Sequence, residues 1–223
     1  MNTTPAPAPD VRARILAAVR SHPAPARQVG TRRRWAGVAY GFLALGLVAV
    51  RLGPHAGTRP ASYVVLLTLA WLLVAVAVTW AGVSRGRSML GRPAVFQIAV
   101  VSLTPVALLV LWWPLALAWP GTLENDSGLS DIVQCIGATA LLALGPLLAF
   151  TYARRATDPV HPWLGGATLG VAAGGWGAAA MVSICRHSSA SHMAYGHVFP
   201  VLLVAALGAC VGARFLAVRI DRS

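Results

Sequence analysis

Two cysteines and three histidines are the residues of this sequence best suited to chemistry. Cys135 lies near the start of one apolar segment, Cys185 ends another, and the run RHSSASHMAYGHV after it carries His187, His192 and His197. Thiolates and imidazoles bind soft metals such as zinc and copper, and two cysteines at one depth can form a disulfide in an oxidising environment. Three interpretations stay open: a disulfide or redox pair, a metal site, or packing residues beside a solvated loop.

Other site chemistry is poorly supported. The chain has no lysine, which excludes a lysine Schiff base and a P-loop. The acidic run ENDSGLSD (Glu124–Asp131) could bind a cation, but such a turn-rich loop is more often simply solvated, and no set of nucleophile, base and acid is visible. We therefore predict no enzyme and no cofactor.

The composition predicts a membrane protein. Of 223 residues only 11% are charged, against about 25% in a typical soluble domain. We predict an all-α fold, a polytopic bundle of six transmembrane helices following a cytoplasmic tail (residues 1–34), because each apolar span is near the roughly 20 residues that cross a bilayer. The spans are 35–50, 61–83, 94–119, 132–152, 163–185 and 198–218.

Arginine placement predicts the topology. Fifteen of the 18 arginines fall on one side of the predicted spans, and positively charged segments stay in the cytoplasm. Both termini are therefore expected in the cytoplasm of a bacterial inner membrane, with the Cys/His group on the outer face. This bias explains the net charge of +12, so direct nucleic-acid binding is not needed as an explanation.

The predicted spans contain no ionisable residue in their centres, which argues against coupled transport. The fifth span carries Gly166, Gly170 and Gly174, and the sixth carries Gly208 and Gly212. Small residues at four-residue spacing let helices approach closely, so these stripes predict either packing within one bundle or a homodimer.

The tail contains one predicted helix, at about 11–21. Asp10 is a suitable N-cap, and the apolar positions that follow recur at helical spacing and form one face. This helix could occupy a groove on a partner protein or lie on anionic lipid. The candidate partner-binding residues are Val11, Arg12, Ile15, Leu16 and Val19.

From Cys135 onward the chain resembles a known family. Its segments CIGATALLALGPLLAFTYARRA, HPWLGGATLGVAAGGWGAAAMVSICRHSS and HMAYGHVFPVLLVAALGACVGARFLAVR resemble six-span bacterial anti-sigma factors of the negative-regulator-of-sigma-F type. The resemblance implies a protein that holds an extracytoplasmic-function sigma factor at the membrane and represses its regulon until a signal releases it. The chain is also similar to the light-released carotenogenesis anti-sigma factors within that group.

The sequence departs from zinc-binding anti-sigma domains, because its tail has no His-x3-Cys-x2-Cys motif. A helix of about ten residues is also small beside the roughly 800 Å² that each partner buries in a typical stable complex. The loop at 84–93 or a second copy would have to contribute to binding. The alternative function is a metal- or redox-sensing or small-molecule-handling membrane protein that uses the Cys/His group.

Overall fold

The computed structural model describes residues 59–84, 92–122, 127–155 and 160–216, together with Ala39, Leu43 and Gly46, which are helical. All of these belong to one compact unit, Arg34–Ser223. The predicted tail helix at 11–21 and its partner-binding residues lie outside the described residues, as does nearly all of the predicted first span.

The described ranges form five long helices and no strand, which confirms the all-α class for this part of the chain. Each helix is long and apolar enough to cross a membrane. They are α1 (Ala61–Val83), α2 (Ala94–Ala118), α3 (Leu129–Ala153), α4 (Pro162–Ile184) and α5 (Ala190–Phe215). The first four match the predicted second to fifth spans within three residues at either end.

Helix α4 forms the centre of the bundle and packs against α5, α3 and α1. Its side chains are mostly Gly and Ala, so neighbouring backbones approach it closely. A Cβ built on Gly170 would lie 2.7 Å from the Cα of Ala205, and one on Gly166 would lie 2.6 Å from the Cα of Gly212. The glycine stripes are thus used within one bundle, which confirms that interpretation of the motif.

Helices α1 and α2 are joined by tryptophan hydrogen bonds. The indole N–H of Trp71 donates to the carbonyl of Leu108 at 3.0 Å, and that of Trp112 donates to the Tyr63 hydroxyl at 3.1 Å. The rest of α2 exposes large apolar side chains such as Val106 and Val110. An exposed apolar surface of this kind suits a helix that faces lipid.

Helix α5 begins eight residues earlier than predicted. The run that reads as a polar loop is helical from Ala190 and contains a π-helical turn at Met193–Val198. The side chains of His192 and His197 face inward and are fully buried, whereas Ser191 and Tyr195 are exposed. The interpretation of these residues as a solvated histidine loop is therefore wrong for His192 and His197, which lie in the first turns of α5.

The two ends of the bundle differ in their polar residues. At the arginine end (Ser84, Arg92 and Arg154), α1 and α3 finish and α2 begins. At the thiol end (Arg59, Cys135, Cys185, His192 and His197), α4 finishes and α1, α3 and α5 begin. Successive helices therefore run in opposite directions through the bundle.

Candidate functional site

Four buried side chains meet at the thiol end, and we call them the Cys/His cluster: Cys135, Cys185, His192 and His197. One potential ligand atom from each residue lies within 4.8 Å of the corresponding atoms of the other three. The two sulfurs are 3.6 Å apart, and the Cys185 sulfur is 3.2 Å from Nε2 of His192. The sequence prediction that the two cysteines lie at one depth on neighbouring helices is confirmed.

The π-helical turn brings the two imidazoles together. In an α-helix, residues five apart are rotated by about 500°, so their side chains diverge by about 140°. A π-turn instead places residue i+5 above residue i. His192 and His197 therefore share one face of α5, and their ring centroids are 5.2 Å apart.

A proline accounts for the position of the π-turn. Pro200 has no N–H to donate, and its ring would clash with the carbonyl four residues earlier, that of Gly196. This carbonyl instead accepts a hydrogen bond from the Thr139 hydroxyl at 3.3 Å. Gly196 also allows close packing, because a Cβ there would lie 3.3 Å from both the Cβ of Cys135 and Nε2 of His192. Helix α3 and the π-turn thus shape the cluster jointly.

Arg59 supplies a buried positive charge beside the cluster. Its guanidinium donates to the Val182 carbonyl at 2.7 Å and to the Ser188 hydroxyl at 3.2 Å, so it ties the segment before α1 to the last turn of α4 and to the α4–α5 connection. Burial lowers the pKa of Arg59, and its interaction with Cys185 acts in the opposite direction. The sequence does not single out Arg59, because it is one of the three arginines outside the predicted cytoplasmic side and its contacts are made across helices.

The thiol pair favours ionisation of Cys185. The hydrogen bond from Cys135 is the main reason that the pKa of Cys185 lies below its ordinary value, and His192 and His197 act in the same direction. Burial opposes these effects. A thiolate is both a stronger metal ligand and a better nucleophile than a thiol.

His187 lies beside the cluster but outside the set of four. Its backbone N–H donates to the Cys185 sulfur at 3.5 Å, and its Nε2 lies 3.7 Å from a carboxylate oxygen of Asp131. Asp131 also accepts from the N–H of Gly128, so it caps α3 rather than lying in a loop. A cavity of about 300 Å³ adjoins this region and is lined by Cys135, Cys185 and His187 among others.

Several nitrogens of the cluster have no well-aligned hydrogen bond. Among the described residues these include Nδ1 of His192 and both ring nitrogens of His197. A buried polar group without a partner costs about 1–3 kcal/mol, so such groups need an explanation. Two of the three histidines predicted from the sequence, His192 and His197, belong to the Cys/His cluster. The interpretation of Cys135 and Cys185 as simple packing residues does not account for these imidazoles.

Fold and site together define a multi-pass helical protein of membrane-spanning type that carries a buried thiol–imidazole cluster at one end. The sequence model of the family "negative regulator of sigma F" matches residues 16–217, which include all five described helices. The chain therefore belongs to this family, and its class is that of negative regulators of a sigma factor. No curated protein and no solved structure gives a significant match.

Proposed function

We propose that this protein is an anti-sigma factor that holds an extracytoplasmic-function sigma factor at the inner membrane. The observation that carries the proposal is the family match over residues 16–217. Five apolar helices supply an anchor, and both termini would lie in the cytoplasm, where the sigma factor and the polymerase are found. The narrower expectation of a carotenogenesis regulator stays a prediction.

The partner-binding element in this proposal is the tail. An apolar face formed by Val11, Ile15, Leu16 and Val19, flanked by Arg12, would lie in a groove of the sigma factor and block its contact with polymerase. Amphipathic helices bind in this way through anchors spaced by three or four residues. The loop at 84–93, or a second copy of the chain, would enlarge the contact.

Co-purification from solubilised membranes tests this function. We expect a sigma factor, identified by mass spectrometry, to accompany the full chain but not a version without residues 2–30. The double variant Ile15→Asp/Val19→Asp should lose the sigma factor and derepress its promoter, because two charges on the contact face cannot be desolvated cheaply.

A matched control uses the other side of the same predicted helix. Ala13→Asp/Ala17→Asp introduces the same charge at positions about 160° or more away from Ile15, and it should keep both binding and repression. If the Ile15/Val19 variant still represses while inserted in the membrane, the docking helix is wrong. If no sigma factor accompanies any version, the anti-sigma function itself is wrong.

A second candidate function is favoured by the Cys/His cluster, since buried ionisable residues within a membrane span usually mark a functional site. A metal- or redox-handling membrane protein would use the same four residues without a sigma factor. Binding of a sigma factor to the full chain, lost on deletion of the tail, would decide against this alternative as the main function.

A further inference from the structure

We propose that Cys135, Cys185, His192 and His197 form a tetrahedral zinc site that joins α3, the end of α4 and the start of α5. The proposal concerns ion binding by the bundle itself and does not depend on the sigma factor. It goes beyond the proposed function because the family description assigns no metal.

The distances fit a tetrahedral ion. Zinc–sulfur bonds of about 2.3 Å and zinc–nitrogen bonds of about 2.0–2.1 Å place two sulfurs about 3.8 Å apart and a sulfur and a nitrogen about 3.6 Å apart. The observed separations are 3.6 Å for Cys135 and Cys185 and 3.2 Å for Cys185 and His192. The remaining pairs lie within 4.8 Å, so small side-chain movements would complete the site.

The chemical types of the four ligands indicate which ion would bind. Two sulfurs and two nitrogens in a tetrahedral arrangement are typical of zinc, and four protein ligands make a closed structural site. All four residues are buried, so a bound ion would be shielded from water. Two thiolates also balance the charge of Zn²⁺, and a neutral unit is far cheaper to bury than an isolated charge.

The imidazoles supply an independent observation. A buried histidine that serves only for packing would be expected to use at least one ring nitrogen in a hydrogen bond. Neither nitrogen of the fully buried His197 has a well-aligned hydrogen bond within the described part of the chain, although the ring faces the Cys185 sulfur. The Trp71 ring lies edge-to-face with the His197 ring, with 6.3 Å between the ring centroids. An imidazole whose ring nitrogens lie beside two sulfurs without a well-aligned hydrogen bond is suited to binding a metal ion.

The backbone departs from regular α-helical geometry where it positions the two histidines. A regular α-helix through residues 190–200 would separate His192 from His197, whereas the π-turn places both beside the sulfurs. π-turns of this kind are frequent at functional sites. Arg59 also helps to hold Cys185 in place. It donates hydrogen bonds to Val182, three residues before Cys185, and to Ser188, three residues after it.

The test is metal binding by the full chain, purified in detergent under reducing conditions and stripped with a chelator. Zinc should rebind at about one ion per chain, and cobalt in its place should give the visible absorption of a tetrahedral site with sulfur-to-metal charge transfer. Cys135→Ser, Cys185→Ser, His192→Gln and His197→Gln should each weaken zinc binding by more than the roughly 10- to 100-fold that follows loss of a supporting residue.

Matched controls separate the ligands from their neighbours. His187→Gln removes the nearby imidazole outside the set, and Cys210→Ser removes the exposed thiol on α5, so both should bind zinc as the unaltered chain does. His197→Cys keeps a ligand at that position, and it should retain zinc with a cobalt spectrum shifted toward more sulfur ligation. This variant keeps the test decisive if His197→Gln fails to fold.

Three results would overturn the proposal. The first is a folded chain that binds no zinc, and the second is zinc binding that His192→Gln and His197→Gln leave unchanged. The third is a Cys135–Cys185 disulfide in intact cells, detected when thiol labelling of these residues requires prior reduction. Each result concerns the bundle alone, so it leaves the sigma-factor experiment unaffected, and failure of that experiment leaves the zinc site standing.

Discussion

The two ends of the bundle hold buried polar groups in opposite ways. At the arginine end, Arg154 donates to the carbonyls of Gly82, Val83 and Ser84 at 3.0–3.5 Å, and Arg92 donates to the Ser84 hydroxyl at 2.6 Å. The last carbonyls of a helix have no partner within it, so these guanidiniums satisfy the end of α1 and complement its dipole. The polar atoms named here are paired within the protein.

At the thiol end the pairing is incomplete. Arg59 makes two hydrogen bonds, but its Nε is buried without one, as are three ring nitrogens of His192 and His197 in the described ranges. At the arginine end the guanidiniums pair the last carbonyls of α1 and leave the buried Oε1 of Gln97 without a partner. At the thiol end the unpaired atoms are imidazole nitrogens gathered beside two sulfurs, an arrangement that suits a ligand site.

The largest effect is expected from breaking the close packing near the arginine end. In Gly166→Leu the new side chain must fit where a Cβ alone would be 2.6 Å from the Cα of Gly212. The backbones of α4 and α5 meet at this point, and neither can shift locally without moving its helix. We therefore expect the free energy of unfolding to fall by about 3 kcal/mol or more, or the chain to fail to fold. Thermal unfolding of the detergent-solubilised chain measures this.

Gly137→Leu is the control for that substitution. Gly137 lies on α3, and a Cβ there would meet no atom within 4 Å, so the leucine should be neutral or stabilising. Equal destabilisation by both variants would mean that loss of glycine, rather than the α4–α5 contact, governs stability.

A smaller effect is expected from removing the cap at the arginine end. Arg154→Met deletes hydrogen bonds to three carbonyls in a buried setting, and we expect a loss of about 2 kcal/mol. The neighbouring Arg155 is exposed, so Arg155→Met should change stability by less than about 0.5 kcal/mol. Chemical unfolding in mixed micelles compares the two, and similar losses would show that Arg154 acts only through general charge. Zinc binding at the thiol end should be unaffected by either change.

Much of the described bundle could be predicted from the sequence because hydrophobic length is a strong signal. The helix Ala61–Val83 coincides with the predicted span, and the glycines of α4 and α5 pack as their spacing indicates. The start of α5 could not be predicted in this way, because SSASH reads as a polar loop although Ser188, Ser189 and His192 are buried against other parts of the protein.

The residues of the site could be predicted from the sequence, but their arrangement in space could not. Cysteine and histidine types pointed to Cys135, Cys185, His192 and His197, but spacing in the chain did not separate ligands from His187. The distinction depends on the π-turn, whose sequence signal is Pro200 after two histidines five residues apart. Arg59 and Gly196 contribute through contacts across helices, which no local pattern encodes.

The smallest effect sharpens the comparison at the thiol end. Arg59 interacts electrostatically with Cys185, and a positive charge stabilises a thiolate, so Arg59→Gln should raise the pKa of Cys185. In the metal-free, reduced chain, the alkylation rate of Cys185 by a small reagent entering the adjacent cavity should then rise at higher pH than in the unaltered chain. The same change at the other end, Arg155→Gln, should leave the pH profile unchanged. If Arg59→Gln leaves the pH profile of alkylation unchanged, the Arg59 guanidinium acts only through its hydrogen bonds to Val182 and Ser188. The two ends would then differ only in the unpaired imidazoles of the thiol end.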